Sequence, residues 1–326
     1  MQEIIKPVDR YLLKAELTKE KLLRKTNKSN NEIYIITAHN APHVMQEIGR
    51  LREIAFRHYG GGTGFSVDID EFDTMDDAYR QLIVWSPENE EILGGYRFLC
   101  GTDVKFDSAG KPMLATSHLF HFSDTFIKEY LPYTVELGRS FVTLEFQATR
   151  EGVTKGLFVL DNLWDGLGAL SVIDPSLQYY FGKVTMYKTY NPEARDMILY
   201  FLGKHFPDSG SLITPIHPLR INEDSEKMSR LFPFDNFKEN YRILNQEVRK
   251  FGINVPPLVS AYMSLSPKMR VFGTAINHEF GEVEETGILI AINEILVEKK
   301  KRHIETYLKE ECQSADLIKN TSPAHS

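Results

Sequence analysis

The stretch VELGRSFV, from Val135 to Val142, decides how this sequence of 326 residues is interpreted. Its short length and apolar ends are typical of a β-strand that is at least half buried. The same stretch carries Glu136 and Arg139. A charge in such a strand is costly unless it is paired, so these two side chains need a structural or a chemical role.

Three further charged signatures precede this strand, and each lies beside an element that should be half buried. They are Arg52 with Phe56 on a helical stretch, the acidic segment Asp68, Asp70, Phe72 and Asp73, and Arg97 near the end of ILGGYRFL, Ile92 to Leu99. Any one of them alone carries little information. Their order along the chain predicts charged groups of both signs that converge at one site.

The composition bounds the class of protein. A hydrophobic fraction of 42% over 326 residues supports one large domain or two modest ones. The net charge of −7 argues against a general nucleic-acid-binding protein. Cys100 and Cys312 form no disulfide framework and match no metal-site spacing. With no apolar leader and no run of about 18 apolar residues, we expect a cytoplasmic protein that is soluble or peripheral at the inner membrane face.

The periodicity of apolar residues predicts alternating strands and helices. Strands are predicted at 33–37, 80–85, 92–99, 135–142, 179–186, 269–275 and 286–292, and helices at 43–59, 154–173, 192–206, 237–251 and 257–265. The second and third strands flank a turn and predict an antiparallel hairpin. This alternation indicates an α/β protein with a mixed sheet.

The chain divides into three parts on composition. Residues 1–30 are polar and lysine-rich and predict a flexible N-terminal arm, residues 31–297 form the folded domain, and residues 298–326 form a charged helix and tail. Within the domain, 207–233 is turn-rich and predicts an insertion or a hinge. The loop Gly60 to Gly64 lacks the lysine and hydroxyl of a P-loop, so it predicts a helix stop or a flexible lid.

The ordered signatures resemble those of acyl-homoserine-lactone synthases, which have a GNAT-like fold. The matching residues are Arg52-x-x-x-Phe56, Asp68-x-Asp70-x-Phe72-Asp73, Gly94-Gly-Tyr-Arg97 and Glu136-x-x-Arg139. The downstream half resembles more the ornithine-lipid and glycine-lipid N-acyltransferases, also called haemolysin-like. Those matches are ELGRS from Glu136, Leu163-Trp164, Phe181-Gly182 and the segment from Pro256 to Tyr262.

The departures favour the aminolipid branch. Tyr59 and the glycine run stand where the autoinducer pattern has a basic residue and a tryptophan, and Asp68 replaces its glutamate. Asn277 stands where the aminolipid branch has an aspartate. A glycine-rich loop for the CoA pyrophosphate is poorly matched by Arg150-Glu-Gly152 and Lys155-Gly156. This fits a donor whose phosphopantetheine is attached to a carrier protein.

The resemblance implies a GNAT-like fold with a central mixed, mostly antiparallel sheet flanked by helices. It implies an N-acyltransferase that moves a fatty acyl chain, 3-hydroxylated or not, from acyl carrier protein or CoA to the amine of glycine or ornithine in aminolipid synthesis. The implied partners are acyl carrier protein and a small amino-acid acceptor, with a peripheral membrane contact and no nucleic acid. We expect no tightly bound cofactor and no metal.

Two rival functions stay open at this point. One is an autoinducer-type synthase that uses S-adenosylmethionine. The other is a lipid- or carrier-binding protein of GNAT-like fold without activity.

Glu136 is the candidate catalytic residue. Amide formation needs an amine stripped of its proton, and a partly desolvated carboxylate is a suitable acceptor, directly or through one water. The structural alternative is an ion pair between Glu136 and Arg139 or Arg97.

Guanidinium groups bind carboxylate or phosphate with two hydrogen bonds, so Arg139 and Arg97 are candidates for substrate or donor binding. Alternatively they neutralise the carboxylates in one buried network. Asp68, Asp70 and Asp73 are candidates to hold the acceptor ammonium or to orient Arg52, and the alternative is a solvated acidic turn. The remaining candidates are Ser140 beside Arg139, Phe56 as a core or substrate contact, and Trp164, with Leu167, as core or as the wall of an acyl tunnel.

Two further features have ordinary explanations. His118 and His121 are three residues apart but have no third ligand. The basic run Lys299 to Arg302 is a solvated helix end, or a contact for an acidic carrier protein or anionic lipid.

Overall fold

A computed structural model describes residues 1–146, 150–221 and 225–308, with the side chains of these residues apart from those of 150–157. The described strands are β1 Leu22–Lys25, β2 Glu32–Ile36, β3 Arg80–Ser86, β4 Glu91–Cys100, β5 Phe120–Phe122, β6 Thr134–Val142, β7 Tyr179–Met186, β8 Ile213–Pro215, β9 Arg270–Asn277 and β10 Val283–Ala291. Eight of them form one sheet in the order β1-β2-β3-β4-β6-β7-β10-β9, and β5 pairs with β8.

Every neighbouring pair in the large sheet is antiparallel except β6 and β7, which are parallel. The described helices are α1 Arg10–Glu16, α2 Pro42–His58, α3 Glu71–Thr74, α4 Arg150–Ile173, α5 Pro192–His205, α6 Ser225–Leu231, α7 Phe237–Arg249, α8 Pro257–Met263 and α9 Val297–His303. This is the mixed, mostly antiparallel α/β sheet flanked by helices that the sequence predicts.

Apolar side chains cover both faces of the sheet. The face towards α4 and α5 packs a large cluster that includes Leu82, Phe98 and Val135 with Leu163 and Leu167. The opposite face packs Ile83 and Trp85 against α2. Burying one such aliphatic or aromatic side chain contributes roughly 1.5–3 kcal/mol, so both helical layers are held mainly by apolar contact.

Helix α2 shows how the sequence sets these contacts. Val44, Ile48, Leu51 and Ala55 recur at three- and four-residue intervals and are all buried. Pro42 occupies the start of the helix, where its missing N–H leaves nothing unpaired. The helix ends before Gly60, whose φ of 92° suits a residue without Cβ.

The sheet splits between β6 and β7. The two strands pair only at Thr134–Tyr179, Val135–Tyr180 and Glu136–Phe181. Just beyond, the register between β4 and β6 shifts, with Gly95 opposite Phe141 and Arg97 opposite Gly138. Strand β6 thus carries one extra residue there, and Arg139 adopts a left-handed φ of 51°. Such a β-bulge bends its strand, so β6 diverges from β7.

The N-terminal region differs from the prediction. Residues 1–30 are not a loosely held arm, because they contain α1 and β1, and β1 pairs with β2 at the edge of the sheet. Leu13 and Leu17 are buried against the α2 side of the sheet. The polar composition of this region reflects its outer surface, while two leucines and a ladder of backbone hydrogen bonds hold it in place.

The segment 207–233 is likewise integrated. Strand β8 pairs with β5, and Leu219 donates its backbone N–H to Thr274 of β9 at 2.8 Å. The described part of this segment therefore follows the edge of the sheet instead of forming a separate insertion. At the C-terminal end, the predicted charged helix is α9, and residues 309–326 of the predicted tail lie outside the described residues.

None of the described helices combines the length and the apolar character needed to cross a bilayer.

Candidate active site

A cavity of about 580 Å³ lies where the sheet splits, and side chains of β6, β7, α2, α4 and α8 line it. This volume is within the usual range for a site that binds a small organic molecule. The end against α4 and α8 is apolar, and its described lining includes Leu160, Leu163, Trp164, Leu167, Leu258 and Tyr262. Trp164 packs edge-on against Tyr262 with ring centroids 5.8 Å apart.

The other end of the cavity carries charge. Arg139 of β6, Lys183 of β7 and Glu285 of β10 all line it, and we call these three residues the open cluster. Register places Lys183 and Glu285 on the same face of the sheet, because Thr185 lies directly opposite Glu285 and Lys183 is two residues away.

Lys183 and Glu285 form an ion pair at the cavity wall. Glu285 also accepts hydrogen bonds from Oγ1 of Thr185 at 2.7 Å and from Nδ2 of Asn277 at 3.4 Å. Burial lowers the pKa of Lys183 in spite of the neighbouring carboxylate. Burial alone would raise the pKa of Glu285, but the Lys183 ammonium and these hydrogen bonds lower it. Glu285 is therefore an anion.

Arg139 reaches the cavity from the bulge. Its Nε lies 3.0 Å from Asp68, its Nη2 lies 3.5 Å from Asp70, and its guanidinium stacks on Phe280 with 4.2 Å to the ring centroid. Phe280 in turn packs against Phe56 at 5.2 Å. Phe56 is therefore both a buried core residue and a lining residue.

A second group of charges lies behind this wall, and none of its members lines the cavity. It comprises the charged residues Arg52, Asp70, Asp73 and Arg97 with the amide of Gln81, and we call it the closed cluster. Arg52 and Arg97 each approach Asp73 at 3.2 Å, and Arg97 approaches Asp70 at 2.6 Å. Burial alone would raise the pKa of Asp73, but the two guanidinium groups lower it.

Of the two alternatives for Arg97, substrate binding or a buried network, the structure shows the buried network. Arg97 neutralises carboxylates there, and Asp70 and Asp73 orient Arg52 and Arg97 from a short turn. Asp70 caps α3, with the side chains of Asp70 and Asp73 each accepting the other's backbone N–H. The network does not include Glu136.

The structure does not bring Glu136 to the cavity. Its carboxylate is buried and accepts hydrogen bonds from the hydroxyl of Tyr79, from Oγ1 of Thr116 at 2.6 Å and from N of Thr116 at 3.1 Å. Burial raises its pKa. These neutral donors take the place of the predicted ion pair with Arg139 or Arg97. Glu136 does not line the cavity, and its role as acceptor of the amine proton, directly or through one water, stays a prediction.

The loop Gly60–Gly64 ends helix α2, and hydrogen bonds to Glu53 fix its position. The carboxylate of Glu53 accepts hydrogen bonds from N and Oγ1 of Thr63 and from N of Gly64 at 2.8–3.0 Å. A Cβ on Gly61 would lie 2.9 Å from Tyr187, a lining residue. Glycine at this position thus lets the loop close over the cavity wall.

Several predicted site residues do meet. Arg139, Ser140, Phe56 and Trp164 line the cavity, with Leu167 beside them, whereas Arg52, Arg97, Asp70, Asp73 and Glu136 lie outside its wall. Among the described residues, no three His, Cys, Asp or Glu side chains are grouped so that they could hold a metal ion.

Sequence reasoning missed Lys183 and Glu285. Lys183 carries the same signal as Glu136, a charge inside an otherwise apolar strand. Glu285 was missed for a different reason, because the predicted strand began at Thr286, three residues after the observed start of β10 at Val283.

Comparison with known proteins assigns the family. Residues 51–154 match the model of the acetyltransferase (GNAT) domain. A glycine N(alpha)-acyltransferase of Bacteroides thetaiotaomicron is 69% identical over 308 residues, which cover 94% of this chain and 91% of that protein. A glycine N(alpha)-acyltransferase of Phocaeicola vulgatus is 64% identical over 325 residues, 100% of this chain and 98% of that protein.

A solved structure of a CoA-dependent acyl-homoserine lactone synthase, with S-adenosylmethionine and isopentyl-CoA, is 16% identical. It covers 51% of this chain and 72% of that one with a TM-score of 0.29, too low to contribute to the assignment. The two full-length relatives are sufficient. The chain belongs to the glycine N(alpha)-acyltransferase family and is an amide-forming acyltransferase with a GNAT domain.

Proposed function

We propose that this enzyme transfers a long fatty acyl chain from a phosphopantetheine thioester to the α-amine of glycine. The observation that carries the proposal is the two-ended cavity, in which an apolar wall and a charged wall meet at the split between β6 and β7. A fatty acyl thioester and an amino acid need these two environments side by side. The activity named for the two relatives supports glycine as the acceptor.

The apolar end supports a long acyl chain. Leu160, Leu163, Trp164 and Leu167 offer a continuous face of α4 to the cavity, and α8 closes it from the other side with Leu258 and Tyr262. Each methylene buried there contributes about 0.8 kcal/mol, so affinity for the donor grows with chain length.

The split between the strands suits the pantetheine arm. Beyond Glu136 and Phe181 no described residue pair joins β6 to β7, so the facing strand edges are available to the amide groups of an extended ligand. Donor attachment to acyl carrier protein follows from the poor match to a pyrophosphate loop. That stretch, 147–157, falls outside the described side chains.

The reaction is an aminolysis of the thioester. The glycine nitrogen attacks the thioester carbonyl carbon, a C–N bond forms, and the C–S bond breaks. The ammonium loses two protons: one ends on the sulfur of the released thiol, and the other passes to a base or to water. Held in reach of each other, the two substrates gain several kcal/mol from positioning. The product is an N-acyl glycine, an aminolipid precursor that we place at the cytoplasmic face of the membrane.

Purified enzyme tests the proposal with long-chain acyl carrier protein, with and without a 3-hydroxyl, and with the matching acyl-CoA. We expect N-acyl glycine by mass spectrometry, and faster from the carrier protein. Methylthioadenosine formed from S-adenosylmethionine would instead identify an autoinducer-type synthase. Tight acyl binding with no product would identify a binding protein.

A further inference from the structure

We propose that Glu285, Lys183 and Arg139 form the acceptor site, which binds a neutral α-amino acid as its zwitterion. Glu285 receives the ammonium group, and Arg139 and Lys183 receive the carboxylate. This inference rests on the proposed function, because it locates the acceptor within the same cavity and defines the acceptor class.

The position of the charged residues in the cavity supports this assignment. Among the described residues that line the cavity, Glu285 is the only carboxylate, and Arg139 and Lys183 are the only cations of Lys or Arg type. All three lie at one end of the cavity, next to the split in which a thioester would lie. An acceptor bound there has its amine near the donor.

The three side chains of the open cluster also have unused hydrogen-bonding capacity. An ammonium has three donors, and Lys183 directs one of them to Glu285. Among the described residues, Nη1 of Arg139 has no hydrogen-bond partner, since Asp68 and Asp70 engage Nε and Nη2. Oε2 of Glu285 accepts one hydrogen bond, from Thr185, and a carboxylate oxygen can accept two. Both ends of a zwitterion thus find partners.

The balance of charges also favours a zwitterionic acceptor. Four basic side chains, Arg52, Arg97, Arg139 and Lys183, pair with four carboxyl groups, Asp68, Asp70, Asp73 and Glu285, so the formal charges of the combined network cancel. A zwitterion leaves that balance unchanged. Ornithine would bring a second ammonium for which the described lining offers no second carboxylate, and an unpaired charge in such a site is costly. The open cluster therefore selects glycine over a diamino acid.

The test is the Michaelis constant for glycine, measured separately from that for the acyl donor. Glu285→Gln keeps the shape of the side chain and removes its charge, so we expect the KM for glycine to rise roughly 30-fold, as for loss of a charge-assisted hydrogen bond. The donor KM should stay within about twofold, since the proposal assigns Glu285 to the acceptor and the apolar end of the cavity to the donor. Glu284→Gln is the matched control, because Glu284 pairs with Arg195 and does not line the cavity.

A second variant covers the case in which Glu285→Gln alone does not fold. Lys183→Met combined with Glu285→Gln removes both charges, leaves no unpaired ion, and should show the same rise in the KM for glycine. In the wild type, kcat/KM for glycine should exceed that for ornithine by roughly 100-fold.

The outcomes separate the two proposals. N-acyl glycine formation with an unchanged KM for glycine in the folded variants overturns the acceptor site alone, as does equal use of ornithine by the wild type. Absence of N-acyl glycine from the wild type with every donor overturns the proposed function.

Discussion

Glu136 and Glu285 lie on the same face of the sheet and are both buried, but they differ in their hydrogen-bond partners and in their position relative to the cavity. Neutral donors from Tyr79 and Thr116 surround Glu136 away from the cavity. Glu285 faces the cavity beside a lysine that has donors to spare. A charge inside a strand therefore indicates that partners exist, and the identity of those partners indicates whether a ligand is one of them.

The same contrast separates the closed cluster from the open cluster. In the closed cluster no side chain lines the cavity, so we assign it a structural contribution. In the open cluster each charge is also paired within the protein, but the side chains line the cavity with hydrogen-bonding positions unused, so we assign it a contribution to binding. Two variants test this division, and two more test the apolar end of the cavity and the surroundings of Glu136.

The largest effect on stability is expected from Arg52→Ala. It leaves Asp73 buried with one guanidinium fewer, and breaking a buried pair from one side costs about 3–5 kcal/mol. Urea unfolding measures the loss. Arg80→Ala is the control, since its pair with Asp103 is exposed and should contribute less than about 1 kcal/mol. Equal effects of the two variants would remove the distinction between buried and exposed pairing.

Removing the Lys183–Glu285 pair as a unit should affect activity and spare stability. Lys183→Met with Glu285→Gln deletes both charges together, and such paired replacements are typically neutral or stabilising by about 1–4 kcal/mol. Turnover at a fixed low glycine concentration should fall roughly 30-fold, in line with the rise in the KM for glycine expected for the same variant. A urea midpoint below that of the wild type, together with normal turnover, would show that the pair is structural, like the closed cluster.

Trp164→Ala tests the apolar end. Loss of the ring widens the cavity next to Tyr262, so kcat/KM for long acyl donors should fall about tenfold, while short donors change little. Donors of two chain lengths provide the comparison. Phe158→Ala on the same helix is the control, because Phe158 is exposed and lies outside the lining. An equal loss for both donors would contradict contact between Trp164 and the distal chain.

The smallest effect on stability and activity is expected from Glu136→Gln, and it concerns the pH dependence of stability. The ordinary pKa of this carboxyl is 4.5, and burial raises it in the folded protein. Above 4.5 the unfolded chain releases a proton that the folded protein still holds, so wild-type stability falls as pH rises until the folded pKa is passed. The variant should lack this part of the pH dependence. A large loss of kcat with unchanged KM values would instead return Glu136 to the mechanism.

Much of the fold could be predicted because local signals agreed with the tertiary structure. The strand Tyr179–Met186 was predicted with its observed bounds, and the 80–99 hairpin was found from its turn. The arm at 1–30 was misjudged, since composition does not show that Leu13 and Leu17 find a partner surface. The wall residues Arg139, Ser140, Phe56 and Trp164 were identified through family resemblance. Lys183 and Glu285 meet only through strand pairing, which no local pattern encodes.

The bulge at Arg139 has a consequence for the rate of substrate exchange. The left-handed backbone there turns β6 away from β7 through the local geometry of the strand itself. We therefore expect the passage between the strands to be preformed, with no unwinding step before donor entry. We expect association of the donor to follow simple second-order kinetics, with release of the thiol or of the acylated product limiting the rate at saturation.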